Sequence, residues 1–476
     1  MKNAMNKTLL KIIMITSCVI ACITATLGIM FYFHAIYDAP APDDSAYKTT
    51  YTPVPPETNA IVTLNKLVGK VKTELKDYPE LDGYLSATNW NDRGMWDDIL
   101  QGNRYDFELQ VLFIVRNQEA LAILAEAMKK PNVQFAPLSL KASPPLPSGP
   151  LTIIETHTYT DSEGVAREMK IERINDNTFG PTLASDFFTI NKIARMTWQN
   201  TKDGKPSLAW DDALANFQFA KRFGAAENAT LINFLVALAC QNIASDLMIK
   251  NIGGLEDRNI AIKTDAILND CVLAPADFKA TFKADYEMID EAVRGFEKVP
   301  KKTLRFRYTF KPNDTRQRAL DRLATIFEAI DRGDSSLGVP PPPRLSEASF
   351  LEKCAYVLRP NAVGRALLDL ANANNMDSTY RDMLANLALL RVRSCAFALR
   401  AYWLDHGKLP DSLDELAPAY IKAVPLDIYG GKPLQYDREH RVVYSAGPKL
   451  IHSTGAFARE PNAQPASERP FVLLDW

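Results

Sequence analysis

From Ile12 to Phe33 the chain runs for 22 positions without a charge. As a helix this stretch is roughly 33 Å long, enough to cross a hydrocarbon core of about 30 Å. Lys2, Lys7 and Lys11 precede it, while Asp38, Asp43 and Asp44 follow it. That asymmetry predicts a cytoplasmic N-terminus (residues 1–11), a transmembrane anchor (12–33) in the cell inner membrane, and a periplasmic or extracytoplasmic remainder after about residue 34. A retained signal anchor fits best, because a cleaved signal peptide, the second reading, has an apolar core of only about 7–15 residues. A lipoprotein is the third reading, since Ile15–Cys18 and Val19–Cys22 both look like lipoboxes. Cleavage at either would leave a long apolar tail.

Residues 34–58 carry Pro40, Pro42, Pro53, Pro55 and Pro56, which predicts an extended, semi-stiff linker from the membrane. Residues 59–337 then read as a mainly helical ectodomain. Ile61, Leu64, Leu67, Val68 and Val71 recur at helical spacing, as do Leu121, Leu124 and Met128. The period changes at Thr152–Tyr159, rich in β-branched residues, where a turn at Asp161–Gly164 predicts a small β-hairpin ending near Ile174. His157 lies there between Glu155 and Asp161; with no second histidine nearby, a polar strand face explains it better than a ligand or general base. Further on, Ser207 is placed to cap a helix reaching Phe223, with Trp210, Leu214 and Phe217 on one stripe and Gly224 as its stop. A second helix, about Asn228 to Lys250, closes at Gly253-Gly254 and completes a helical hairpin. Its stretch Leu231–Cys240 is apolar apart from Asn233, too short for a bilayer and suited to burial. Ala276–Phe296 and Thr315–Ile330 supply further helices. Asp203-Gly204-Lys205 is a turn without the glycine pattern of a phosphate site.

Four prolines, Pro340–Pro343, mark a second linker (residues 338–346) before a C-terminal domain over 347–452 and a tail over 453–476. Between Ser378 as N-cap and Gly407 as stop lies one long helix. Met383, Leu387, Leu390 and Phe397 make one apolar stripe; Leu384, Ala388, Val392, Cys395, Leu399 and Tyr402 make another. Asn386, Arg393 and Arg400 recur every seven residues on the remaining face, which reads as the solvated strip. Pro410 stops the helix from resuming, and Ser412-Leu413-Asp414-Glu415 fits a capping box for a short helix ending by Pro418. Leu434–Tyr436 and Arg441–Tyr444 alternate as strands, with Asp437–His440 as the turn. Asp427, between Pro425 and Gly430-Gly431, is placed to hydrogen-bond the loop backbone rather than to hold a metal or catalyse.

These residues carry a resemblance. Ala398–Gly407 with Lys408-Leu409-Pro410, then Ser412-Leu413 and Leu416, Val424-Pro425-Leu426-Asp427, Gly431–Tyr436 and Val443–Pro448, resemble the C-terminal globular part of the type II secretion major pseudopilin and related G-like modules. The likeness spans roughly 70 residues and implies a long helix clasped by a small antiparallel sheet. Two departures stand out. Lys7–Lys11 offers no prepilin-peptidase site, and Lys449 stands where the family often has an acidic residue beside a calcium loop, so no calcium site is expected. The whole chain also resembles large uncharacterised membrane-anchored envelope proteins of planctomycete-type bacteria.

A chain of 476 residues has room for two or three cores, and 47% apolar with 24% charged residues is ordinary globular composition. A net charge of -2 implies no nucleic-acid partner. Six cysteines are too few for a disulfide scaffold, and Cys240, Cys271, Cys354 and Cys395 form no CxxC pair, which argues against zinc. No catalytic, cofactor-binding or metal-ligating constellation stands out, so no such residue and no cofactor is expected. The fold class is mainly α (α+β). The function that follows is a single-pass envelope protein, with the lipid bilayer as partner through residues 12–33 and other envelope proteins bound by a non-catalytic interaction or scaffold module. The alternative is an exported hydrolase using carboxylates in an ectodomain cleft, which needs two acids about 5–9 Å apart.

Overall fold

The computed structural model describes residues 24–26, 28–29, 37–48, 51–73, 99, 106–136, 152–160, 166–174, 182–200, 208–297, 310–333, 349, 359–371, 376–448, 470–474 and 476. Most of the expected anchor, the linker at 338–346 and the turn at Asp161–Gly164 therefore lie outside the described residues. In chain order the helices are α1 (Ala60–Leu64), α2 (Phe107–Arg116), α3 (Gln118–Met128), α4 (Leu183–Gln199), α5 (Trp210–Gly224), α6 (Leu231–Lys250), α7 (Arg258–Asp270), α8 (Pro275–Glu297), α9 (Pro312–Asp331), α10 (Ala362–Ala371) and α11 (Met376–His406). Strands β1 (Thr152–Thr160) and β2 (Ala166–Ile174) fall between α3 and α4. Strands β3 (Gln435–Asp437), β4 (Val442–Tyr444) and β5 (Phe471–Leu473) follow α11. The protein is mainly helical, as expected.

The chain divides into two compact units, Met1–Lys48 with Asp285–Thr379, and Thr49–Ala284 with Tyr380–Trp476. This grouping differs from the expected break at 338–346: the long helix α11 belongs, from Tyr380 on, with the helices of 49–284. From Tyr380 on, α11 buries both of its apolar stripes, and its arginines bond residues of 245–255.

In the larger unit, local capping sets the helix starts. Thr182 Oγ1 accepts from the Ser185 amide at 3.2 Å, Asp257 from the Asn259 amide at 2.8 Å, and Thr230 and Asn233 form a reciprocal capping box at the head of α6. The expected cap Ser207 lies outside the described residues, and α5 starts at Trp210. Leu214 and Phe217 are buried as predicted, joined by Phe219 and Phe223. Helix α6 packs against both α4 and α5, which explains an apolar sequence with so little amphipathic bias. It is long and apolar enough to cross a membrane, yet 56% of its most apolar window is already buried within the protein. A methyl group on Gly224 would come within 2.6 Å of Ala237 Cβ, so the α5–α6 contact needs glycine there.

Strands β1 and β2 form the expected antiparallel hairpin, in register from Thr152 opposite Ile174 to Thr160 opposite Ala166. Gly407 ends α11 with φ +66° and gives its N–H to Trp403 at 2.8 Å, the stop its position predicted. Ser412 and Glu415 make the capping box of the turn Leu413–Leu416. The sheet has three strands in the order β3-β4-β5, all antiparallel. The third strand corrects the reading of 453–476 as a tail: Val472 pairs with Val443, and the Leu474 amide donates to Arg441 O at 2.8 Å.

In the smaller unit, residues 37–48, read as part of an extended, semi-stiff linker, are bonded to its helices. Asp38 accepts from the Asn313 and Asp314 amides, both at 3.0 Å, and so caps the N-terminus of α9. Tyr286 donates its hydroxyl to Asp44 at 3.0 Å, and Tyr47 stacks on Phe327 at 6.0 Å. Helices α9 and α10 meet at a close approach where Asn361, at φ +57°, accepts from the Lys311 amide at 2.9 Å and donates to Asp314 at 2.7 Å. A Cβ on Gly364 would collide with Thr315 Oγ1 and Asn361 Oδ1. Gly364→Ala is therefore expected to lower stability by about 2–3 kcal/mol, read as a reduced denaturation midpoint.

Candidate functional site

Helix α7 buries Ala261, Thr264, Asp265 and Leu268 on one side. Spacings of three and four place a carboxylate inside an otherwise apolar stripe. Asp265 is 5% exposed. Its Oδ1 accepts from Ser394 Oγ of α11, and from Asn269 Nδ2 at 3.0 Å. Asn269 Nδ2 also donates to Ser394 Oγ at 2.5 Å, closing a three-residue cluster that joins α7 to α11. Among the described residues Asp265 Oδ2 has no partner, and it is not sealed from solvent.

That oxygen belongs to a residue lining a cleft of about 600 Å³. One wall is α7, with Ile262 and Ala266; the second is α11, with Leu390 and Arg391; the third is the segment Pro418–Leu426. The segment is held by several bonds. Tyr420 N and Ile421 N donate to Leu416 O at 2.8 and 3.2 Å, Leu434 N to Pro425 O at 3.0 Å, and Tyr420 Oη to Asp405 at 2.7 Å. Arg391 Nη1 donates to Leu426 O at 2.6 Å. At the mouth Lys422, with a side chain 91% exposed, pairs loosely with Asp270 at 3.8 Å.

Burial, with a smaller push from Asp270, raises the Asp265 carboxyl to about 7, against the opposing bonds from Ser394 and Asn269 and the attraction of Lys422. Burial likewise makes the Arg391 charge less favourable, offset in part by Asp427. Because the folded value lies above the ordinary 3.8, the native state holds a proton between about pH 4 and 7 that the unfolded chain has released. Stability therefore falls as pH rises through that window, with a slope of up to about 1.4 kcal/mol per unit. Asp265→Asn is expected to remove this slope and to be more stable than the wild type at pH 8, with little difference near pH 4. Denaturation midpoints at pH 4.5, 6 and 8 check it. The charges acting on Asp265 are Asp270 on its own helix and Lys422 on the segment, and the buried Cys395 thiol lies close enough to feel it.

The residues weighed from sequence fall differently. Asp427 is 3% exposed and bonds the loop, accepting from Tyr429 N at 3.1 Å, Ala446 N at 2.7 Å and Ser445 Oγ at 2.8 Å. This is the role its loop position suggested. Asn386, Arg393 and Arg400 do not form a wet strip: they are 7%, 8% and 4% exposed. Arg393 donates to Ser245 Oγ at 2.6 Å and Asp246 at 3.1 Å, and Arg400 to the carbonyls of Gly253 and Leu255. Asn386 is buried with no partner for its amide among the described residues. Of His157 only its place in β1, opposite Met169, is described. Asp203–Lys205 and Cys354 lie outside the described residues; Cys240, Cys271 and Cys395 are free thiols, and burial pushes all three up. Asp265 went unnoticed in the sequence. Its signal was there, as an acid at the i+4 position from Ala261 within an apolar stripe.

Compared with family models, curated proteins and solved structures, the chain finds no match in any of the three.

Proposed function

We propose that this chain is a single-pass, membrane-anchored cell-envelope protein whose extracytoplasmic part is a non-catalytic interaction or scaffold module, secretion-related in kind. The uncharged run 12–33 and its flanking charges support the anchor. The order of a long helix, a looped segment and a small three-stranded antiparallel sheet supports a pseudopilin-like end. The observation that carries the interaction reading is the cleft between α7, α11 and Pro418–Leu426. About 600 Å³ of space, apolar walls and a few convergent polar groups are the usual form of a recognition site.

Two measurements test this. A reporter active only outside the cytoplasm, fused after Trp476, should be active and fractionate with membranes. Recovery of the chain in the soluble fraction overturns the anchor. Proteins co-purifying from detergent-solubilised membranes should be depleted by Ala266→Trp, which fills the cleft; an unchanged set removes the cleft from recognition.

One observation favours the hydrolase reading, namely Asp265 with its raised carboxyl on the cleft wall beside Asp270. On that reading hydrolysis of glycoside or peptide substrates disappears in both Asp265→Asn and Asp270→Asn. Turnover that survives either change sinks it.

A further inference from the structure

Among the described residues, Asp265 is the one charged group on the cleft that the protein leaves without a charged partner. Lys422 pairs with Asp270 at 3.8 Å. Arg391 is turned to Leu426 O at 2.6 Å and is drawn by Asp427. Asp265 makes no ion pair, and the attraction of Lys422 is the smallest of the influences on it. One negative charge on the cleft wall is therefore left over.

The hydrogen bonds decide which oxygen carries it. Ser394 Oγ receives Asn269 Nδ2 at 2.5 Å, so its own proton is spent on Asp265 Oδ1. Asn269 also donates to that oxygen, at 3.0 Å. Oδ1 is thus filled by two donors. Oδ2 has none among the described residues and is not sealed from solvent, although the residue is only 5% exposed. A buried carboxyl held from two helices with one oxygen open is short of a donor, and a cationic donor is the strongest available.

One open oxygen suits a point charge. A guanidinium offers a two-pronged edge that matches both oxygens of a carboxylate, whereas an ammonium needs only one. The surroundings are alkyl: Ile262 stands one turn before Asp265 on α7, Leu390 one turn before Ser394 on α11, and both line the cleft. A lysine side chain combines these features, an ammonium on a four-carbon stem. We propose that the cleft takes the side chain of a lysine from a partner protein, its ammonium on Asp265 Oδ2 and its stem against Ile262 and Leu390. This rests on the cleft being a recognition site. Burial holds the Asp265 carboxyl back from ionising, and the incoming charge supplies the attraction that the fold omits.

Calorimetric titration of the full chain in detergent at pH 8 tests this with Nα-acetyl-lysine methylamide, its arginine and norleucine counterparts, and n-pentylamine. The lysine probe is expected to bind at least tenfold tighter than the arginine and norleucine probes. Asp265→Asn, with an unchanged circular dichroism spectrum, should bring it down to the affinity of the norleucine probe while leaving that probe unmoved. The same variant should deplete the co-purifying proteins that Ala266→Trp depletes. Equal binding of the lysine and norleucine probes, or no binding of the lysine probe, overturns the proposal. Pentylamine bound where the lysine probe is not makes this a site for free amines, which overturns it equally. If the lysine probe fails while Ala266→Trp still strips co-purifying proteins, the lysine falls and the recognition site stands. If Ala266→Trp strips nothing, the recognition reading falls and the lysine with it.

Discussion

Arg400→Met is expected to lower the stability of the protein by about 3 kcal/mol, far beyond what a solvated helix face would give. The guanidinium is 4% exposed and sits over the Trp403 ring at 4.6 Å. Its Nε donates to Leu255 O at 2.9 Å, and its Nη2 to Leu255 O and Gly253 O, both at 2.8 Å. Those carbonyls belong to the turn that ends α6 and leads into α7, where helix geometry leaves them without partners of their own. Charge-assisted bonds of this kind contribute about 1.5–3 kcal/mol each, and methionine keeps the stem while removing all of them. Arg400→Lys should recover only part of the loss, because a single ammonium cannot reproduce the planar fork. Thermal or chemical denaturation of the full chain reads both. A loss within about 0.5 kcal/mol would mean the arginine is solvated after all.

Asp427→Asn is expected to cost about 2–4 kcal/mol, through a mechanism that keeps size and shape nearly constant. Oδ1 accepts from Tyr429 N at 3.1 Å and Ser445 Oγ at 2.8 Å; Oδ2 accepts from Ala446 N at 2.7 Å and Ser445 Oγ at 2.9 Å. Every neighbour is a donor or can become one. An amide turns one acceptor into a donor, so a buried N–H must face another N–H. Ser445→Ala should cost only about 1 kcal/mol, since both amide bonds survive. The double variant should fall short of the sum, because both changes act on one network. Hydrogen exchange gives a local reading: the Tyr429 and Ala446 amides should exchange faster in Asp427→Asn. Unchanged protection at these two positions would show that the carboxylate does not hold the loop.

These two residues also mark where reading the chain stops being enough. Asp427 was legible because its partners are near in sequence or belong to the same module, and a Pro–Asp–Gly-Gly context favours a side chain that bonds loop backbone. Arg400 was not. A seven-residue recurrence of Asn386, Arg393 and Arg400 shows that they share a face, but not whether that face meets water or another helix. Their partners lie 145 to 148 residues back for the two arginines, in Ser245, Asp246, Gly253 and Leu255. Such bonds tie α11 to the helices of 49–284, and no local pattern announces them.

The sequence by itself determined the elements: helices where apolar residues recur every three or four positions, the start at Ser412, the stop at Gly407, and the β1–β2 hairpin. Caps, turns and periodicity act over a few residues, so local order is enough to specify them. The tertiary structure alone decided which faces meet. It turned the arginine strip inward, drew Phe471–Leu473 into the sheet, laid residues 37–48 against α8 and α9, and set Asp265 beside Ser394, 129 residues away, on the wall of a cleft. Burial and pairing depend on the whole packed chain, and they alone decide whether a charge is solvated, structural or left free for a ligand.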